Sequence, residues 1–298
     1  MVRNDLLTEQ FEAQRPRLRV VAYRMLGSFS EADDAVQEAW LRLSRQDATT
    51  IENLAGWLST VVGRICLDFL RSRGAQREGP LEAAEERIRL PELLLRRADA
   101  ADPEEQAILA DSVGVALLVV LETLSPAERL AFVLHDVFAL PFEEIAEAVG
   151  KSPEATRQLA SRARRKVQGV ATVPDPDLAK QRAVVAAFHA ASLTGDFDAM
   201  VAVLDPEVEL RVDQGTFNAN TQRIQGAANV ASQALKFSQF ARFEVPVLVN
   251  GVAGLATVVD GRLFSVLAFT VSGGTVKGID ILADLERLGR IDISQLTG

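Results

Sequence analysis

The stretch covering residues 140–168, LPFEEIAEAVGKSPEATRQLASRARRKVQ, restricts the fold more than any other part of the chain. Its punctuation predicts two helices joined by a tight turn. Pro141 suits a first helical position, Glu143 and Glu144 fall in the electropositive first turn, and Gly150 stands where a left-handed residue ends a helix. Ser152 then reads as an N-cap, Pro153 as the first helical residue and Glu154 as an early-turn carboxylate. On the second helix Ala155, Leu159 and Ala163 recur every four residues and define the face packed on the first. The opposite face carries Arg157, Gln158, Ser161, Arg164 and Arg165, with Arg162 and Lys166 on its flanks. Such side chains reach guanine and adenine edges, or phosphate oxygens, from a helix in the major groove. A solvated basic helix end has a similar composition and also complements the helix dipole. The turn residues ahead of it favour a helix-turn-helix reader of DNA.

Charge limits how such a reader works. The 298-residue chain carries a net charge of −9, which argues against a protein that grips DNA alone by neutralising phosphates. Yet residues 151–168 hold six basic side chains against one acidic. DNA affinity is therefore expected to be local, and to depend on a partner that brings the chain to DNA or supplies the missing charge. The length implies two or three domains, and 48% apolar residues allow real cores. No apolar run reaches a membrane-spanning length, and the N-terminus MVRNDLLTEQF lacks the apolar centre of a signal peptide, so a cytoplasmic protein without membrane contact is expected. One cysteine, Cys66, and two histidines, His135 and His189, predict no disulfide, no metal centre and no cofactor.

From Phe11 to Arg45 the pattern is helical, with Pro16 kinking or restarting the first helix and Gly27 ending it. A second helix opens at Ser30 and Asp33 in capping-box spacing. It buries Val36, Ala39, Trp40 and Leu43, and leaves Asp33, Asp34, Gln37, Glu38 and Leu41 elsewhere. An acidic face containing a leucine serves either solubility or docking to a basic partner. A third helix, GWLSTVVGRICLDFLRSR, buries Trp57, Leu58, Val61, Val62, Ile65 and Phe69 and leaves Arg64, Arg71 and Arg73 as a basic edge. Residues 74–105 read as a linker with one short helical piece around residues 90–97, and a Ser125-Pro126-Ala127-Glu128 start opens the helix supporting the helix-turn-helix.

After Gly169 the segment VATVPDPD marks a second boundary. Beyond it the pattern is α+β: two helices, a strand alternating through Val208, Leu210 and Val212, a helix over residues 227–235 and four apolar strands. Asp260-Gly261 and Gly273-Gly274 sit at hairpin positions. An antiparallel meander curved around a few helices encloses a pocket, for which His189 and Asp280 are the candidate polar residues.

The blocks LRVVAYRMLGSFSEADDAVQEAWLRL, GWLSTVVGRICLDFLRSR and LSPAERLAFVLHDVFALPFEEIAEAVGKSPEATRQLASRARRKV closely resemble, in order, bacterial sigma factors of the extracytoplasmic-function (ECF) type. The resemblance implies a multidomain chain with two all-α sigma domains, region 2 over residues 1–73 and a helix-turn-helix region 4 over 106–169. Linkers at 74–105 and 170–177 would join them to a cone-shaped SnoaL-like (NTF2-like) domain over 178–298. It implies docking on RNA polymerase core by Asp34, Gln37, Glu38, Leu41 and Arg42, and a place near the melted minus-ten strand for Asn53, Arg64 and Arg71. Arg157, Gln158, Ser161 and Arg162 match the family's minus-thirty-five contacts, whereas periodicity favours Arg164 over Arg162. In the branch with a SnoaL-like extension, that extension stands in for a separate anti-sigma protein. The branch carries an Asp-Gly-Gly-Gly-Lys loop, an Asn-Pro-Asp-Lys-Leu motif and a linker Trp-Leu-Pro-Glu-Pro. Here the loop reads Asp213-Gln214-Gly215-Thr216-Phe217, the second motif Asp284-Leu285-Glu286-Arg287-Leu288, and the linker Gly79-Pro80-Leu81-Glu82. The chain is thus a divergent relative that keeps charge at Asp213 and Arg287.

The expected function is a sigma factor that directs RNA polymerase core to promoter DNA and is modulated in cis by its C-terminal domain. Two other readings use the same parts. A one-component helix-turn-helix regulator would sense a small-molecule ligand in the C-terminal pocket, and a SnoaL-like cyclase or isomerase would use Asp213, His189 or Asp280 as acid or base. Neither accounts for the N-terminal block, and a protein that is not an enzyme is expected.

Overall fold

Helix punctuation organises the N-terminal half of the chain. The structure, a computed structural model, describes residues 2–46, 51–76, 89–98, 115–168, 174–215, 222–294 and 296. Residues 1–81 and 120–170 form one compact unit, and residues 82–119 and 171–298 a second.

In the first unit α1 (Val2–Leu26) runs through Pro16 unbroken and stops at Gly27, which adopts φ 69°. The chain leaves that turn extended, so Ser28 rather than Ser30 caps α2 (Phe29–Leu43), accepting the Glu31 N–H at 3.4 Å. Asn53 opens α3 (Leu54–Gln76) by accepting the Gly56 N–H at 3.0 Å. Leu18, Val21, Ala22 and Met25 of α1 meet Val36, Ala39 and Leu43 of α2 and Leu58, Val62, Ile65 and Leu67 of α3 in a buried core. Trp40 and Trp57 are only half-buried, with Val61 and Phe69, because Leu67 and Cys66 fill the centre in their place. Burial pushes the Cys66 thiol up, which leaves it an inert apolar filler.

Four further helices follow: α4 (Val115–Glu122), α5 (Pro126–Phe132), α6 (Phe142–Val149) and α7 (Pro153–Gln168). The Ser125–Glu128 capping box starts α5, and a π-helical turn (Val133–Val137) extends it. Pro141 is the N-cap of α6, one position earlier than expected, while Gly150 at φ 72° ends it and Ser152 caps α7.

Glycine lets α3 lie directly on α5. A Cβ at Gly63 would stand 2.7 Å from Leu130 Cδ1 and 3.0 Å from Leu134 Cδ1. Arg129 of α5, 6% exposed, ties that helix to α4 and α1. Its Nε donates to the Leu121 carbonyl at 2.7 Å and its Nη1 to the Met25 carbonyl at 2.8 Å, satisfying acceptors at the ends of α4 and α1. Burial pushes the guanidinium down to about 10, still charged at neutral pH. Arg129→Leu keeps the volume but orphans both carbonyls, and denaturant unfolding is expected to show a loss of about 2–3 kcal/mol.

The second unit is a seven-stranded sheet in the order β1-β4-β5-β6-β7-β2-β3. Its strands are β1 (Leu95–Arg97), β2 (Leu204–Asp213), β3 (Gln222–Gln225), β4 (Glu244–Val249), β5 (Val252–Val259), β6 (Arg262–Ser272) and β7 (Thr275–Leu282). The meander β4 to β7 is antiparallel, turning at Asp260-Gly261 (φ 49° and 71°) and Gly273-Gly274 (φ 61° and 81°), as glycine placement predicts. The sheet as a whole is mixed, because β2 pairs parallel to β7. The cause is the crossover. After β3 the chain passes through α10 (Ala227–Lys236) and α11 (Ser238–Ala241) to the far side of the sheet and meanders back to β2 from there.

Period-two alternation gives the sheet two apolar faces. The inner face, with Leu210, Val212, Leu255, Leu267, Phe269 and Ile279, packs on α8 (Leu178–Thr194), α9 (Phe197–Val203) and α10. The outer face, with Val247, Val249, Ala256, Val266 and Ala268, is covered by Leu288 of α12 (Leu285–Leu288) and by Leu90, Leu93 and Leu95 of the linker. Residues 90–97 therefore do not form the expected short helix. Pro91, Leu93 and Leu95 are buried in alternation, and β1 pairs antiparallel with β4, Arg96 opposite Leu248. The open edge of β4 outweighs the helical propensity of the leucines.

Candidate functional site

Helix α7 buries Thr156, Leu159, Ala160 and Ala163, while Ala155 is half-buried. The stripe is thus rotated from the one the four-residue repeat suggests. Arg157, Gln158, Ser161, Arg162 and Arg165 share the exposed face. Arg164 is half-exposed and ion-paired with Asp136, whereas Arg162 is on the exposed face. Arg157 lies 5.2 Å over the Phe142 ring, which holds the guanidinium at the helix start. Lys166 Nζ is 2.9 Å and Arg162 Nε 3.4 Å from the Glu128 carboxylate. Burial raises Glu128, but hydrogen bonds from Lys166 and Ser125 outweigh it and hold the carboxyl below its ordinary range.

On α2, Asp34, Gln37 and Leu41 are exposed, and Glu38 and Arg42 are half-exposed along the same face, joined at 3.0 Å. Leu41 is the exposed apolar side chain among these charges. Asn53 is exposed, but its Oδ1 is engaged by the α3 cap. Arg64 projects outward, and Arg71 lies 3.7 Å from Asp68, which offsets part of its charge.

In the second unit Asp213 and Arg287 come together, as their shared survival in the divergent motifs suggests. Asp213 Oδ2 accepts the Leu90 N–H at 2.8 Å and Arg287 Nη1 at 2.5 Å. Arg287 Nη2 donates to the carbonyls of Leu90 at 2.6 Å and Pro91 at 2.9 Å. Asp213 Oδ1 takes the Gly215 N–H at 3.0 Å, and Asp284 caps α12 and so orients Arg287. At Gly215, φ is 69° and a Cβ would come within 2.4 Å of Asp284 Oδ2, so glycine is required there. Four residues along the linker, Asn250 holds Leu94 at both polar atoms: Oδ1 accepts its N–H at 2.7 Å, and the Asn250 N–H donates to its carbonyl at 2.9 Å. Linker residues 90–97 are thus a strap clamped onto the sheet. The linker motif is expected earlier in the chain. Gly79-Pro80-Leu81-Glu82, where the sequence suggested it, lies outside the described residues, as do Thr216 and Phe217.

A cavity of about 290 Å³ opens on the inner face, but neither residue expected in it lines it. Asp280 sits between Ile279 and Ile281, which do line it, so the pleat sends Asp280 to the outer face. There it receives Arg211 Nε at 2.7 Å and Nη2 at 2.9 Å. His189 lies behind the wall, its Nε2–H donating to the Ala241 carbonyl at 2.9 Å. Glu244 and Gln214 are among the polar side chains that do line the cavity. Gln214 follows Asp213 and faces the other way. Among the described residues no group of acidic, histidine or cysteine side chains could hold a metal, and no helix is long and apolar enough to cross a membrane.

Residues 10–76 match the family Sigma-70 region 2, and residues 114–167 the family Sigma-70, region 4. The chain is 40% identical over 283 residues to the ECF RNA polymerase sigma factor SigJ of Mycobacterium tuberculosis, covering 90% of this chain and 88% of that protein. It is 35% identical over 289 residues to the probable ECF RNA polymerase sigma factor SigI of the same organism, covering 95% and 94%. The chain belongs to the ECF RNA polymerase sigma factors. The crystal structure of M. tuberculosis SigJ superposes at a TM-score of 0.75 and 36% identity, over 96% of this chain and 100% of that one. This ECF sigma factor accordingly consists of helical regions 2 and 4 and a C-terminal α+β domain built on the mixed sheet.

Two outcomes follow from the geometry. Asp213→Ala removes the acceptor of the Leu90 N–H and the partner of Arg287, and amide hydrogen exchange at Leu90 is expected to quicken roughly tenfold or more. Burial raises Glu244 above the ordinary carboxylate range, against the smaller pull of His189. A raised folded-state value means that the stability is fully present below the unfolded value, about 4.3, and is lost as pH rises through the folded one. Glu244→Gln should therefore stabilise the protein at neutral pH and flatten that decline, as thermal unfolding across pH 4–8 would show.

Proposed function

We propose that this sigma factor docks on RNA polymerase core through the exposed face of α2 and reads the upstream promoter element with the exposed face of α7. Asn53, Arg64 and Arg71 would meet the melted strand of the downstream element. The C-terminal domain sets the activity of both helical blocks by holding the linker between them, in place of a separate anti-sigma protein. The observation that carries the regulatory part is the Asp213–Arg287 clamp on Leu90 and Pro91. A linker pinned to a folded domain cannot follow its own path along another protein. Supporting the first part, the exposed α7 face is basic while the chain is acidic, so DNA contact is local and the polymerase supplies the remaining grip.

Transcription from a promoter pool by core polymerase, compared among the full chain, a truncation after Val170 and Arg287→Ala, tests this. Arg287→Ala is expected to shift activity in the same direction as truncation. An unchanged Arg287→Ala beside a changed truncation sinks the clamp as the regulatory device, and no promoter-specific transcript from any of the three sinks the reading as a whole. Arg157→Ala is expected to lose about 1–3 kcal/mol of discrimination at one upstream base pair. A uniform loss across sequences would make Arg157 a phosphate contact.

A further inference from the structure

The inner-face cavity combines two features that a finished apolar core avoids. The first is a pair of buried acceptors with no hydrogen-bond partner among the described residues, Glu244 Oε2 and Gln214 Oε1. Strand register places Glu244 opposite Thr257 and Thr257 opposite Ser265, so one polar row crosses β4, β5 and β6 along the cavity wall. Thr257 and Ser265 satisfy each other, Oγ to Oγ, at 2.7 Å. Glu244 Oε2 has no such neighbour among the described residues: His189 Nε2 is 3.6 Å away and already donates to Ala241. Leaving a buried acceptor unmatched forfeits its hydration without return.

The second feature is the rim. Phe237, Phe240 and Phe264 line the cavity and yet are 56%, 42% and 45% exposed. The opposite wall, Leu210, Val212, Ile279 and Ile281, is apolar. Water can pair with the acceptors but leaves the phenylalanines wet; an apolar lid covers the phenylalanines but leaves the acceptors unpaired. One kind of occupant removes both costs.

We propose that the cavity is a binding site for a small, largely apolar ring compound that carries one hydroxyl or amine, the rings held by the rim phenylalanines and the donor directed at Glu244. The volume, about 290 Å³, is at the small end of ligand pockets, which suits two or three fused rings. Gln214 on the facing wall offers an amide to a second polar group. The site stands apart from the sigma reading, since it needs neither polymerase nor DNA.

Calorimetric titration of the full chain with 2-naphthol and with 2-methoxynaphthalene tests it, because the two share rings and differ in the donor. One saturable site is expected, with 2-naphthol bound at least tenfold more tightly, about the difference one hydrogen bond to a charged group makes. Glu244→Met should remove that preference and leave the affinity for 2-methoxynaphthalene unchanged. Equal affinity of the two probes for the unaltered chain, or no saturable binding of 2-naphthol, overturns the proposal, and neither result depends on a variant folding. Sedimentation at the same concentration gives the other occupant its chance: a dimer that Phe237→Ser dissociates would mean that the rim meets a second copy of the chain, and would overturn the proposal too.

Discussion

A carboxylate that is 4% exposed has to be matched in full or it destabilises what surrounds it, and the C-terminal unit is built around one such group, Asp213. Its two oxygens receive an N–H from the linker, an N–H from its own loop and a guanidinium from α12. The guanidinium in turn bonds the two linker carbonyls that follow the first N–H. Every member needs the others. Without the linker, Asp213 and Arg287 lose partners in a desolvated place, and without Arg287 the linker carbonyls face a carboxylate. The strap is therefore held cooperatively, by polar matching at Leu90 and Leu94 and by apolar burial of Leu93 and Leu95 between them.

Short-range chemistry was legible in the sequence, and its limits are physical. Gly27, Gly150, Ser152, the Ser125–Glu128 box and two hairpin turns each do locally what their residue types dictate. The α2 face and most of the α7 face also follow from periodicity, because a helix surface is a local property. Periodicity favoured Arg164 over Arg162 because a repeat of Ala155, Leu159 and Ala163 takes no account of Thr156 and Ala160, which shift the buried stripe. Three long-range features escaped. Residues 90–97 look helical until an unpaired strand edge more than 150 residues later is considered. The parallel pairing of β2 with β7 follows from a crossover route that no strand's composition encodes. Asp280 and His189 looked like pocket residues by type, but their faces are set by the pleat and by the Ala241 carbonyl.

Charge is divided along the chain with a purpose that the totals hide. The whole is acidic, and the α2 face keeps that sign around an exposed leucine, whereas α7 presents three exposed arginines on one face. Two members of the basic set are neutralised at home: half-exposed Arg164 by Asp136, and exposed Lys166 by Glu128. What remains outward is a small, oriented basic surface whose reach is short at physiological salt, where screening acts over about 8 Å.

Strand β2 and the residue after it present Val212 and Gln214 to the cavity and Asp213 to the strap, on alternate sides of one ribbon. That division of labour rests on register alone. Slipping β2 by one residue against Ile281 and Leu282 of β7 would carry the carboxylate into the apolar cavity and lay the amide against the linker, reversing both surfaces together. Insertions and deletions within β2 are thus far more consequential than substitutions at any single one of its positions, and chain length there is as much a functional trait as sequence.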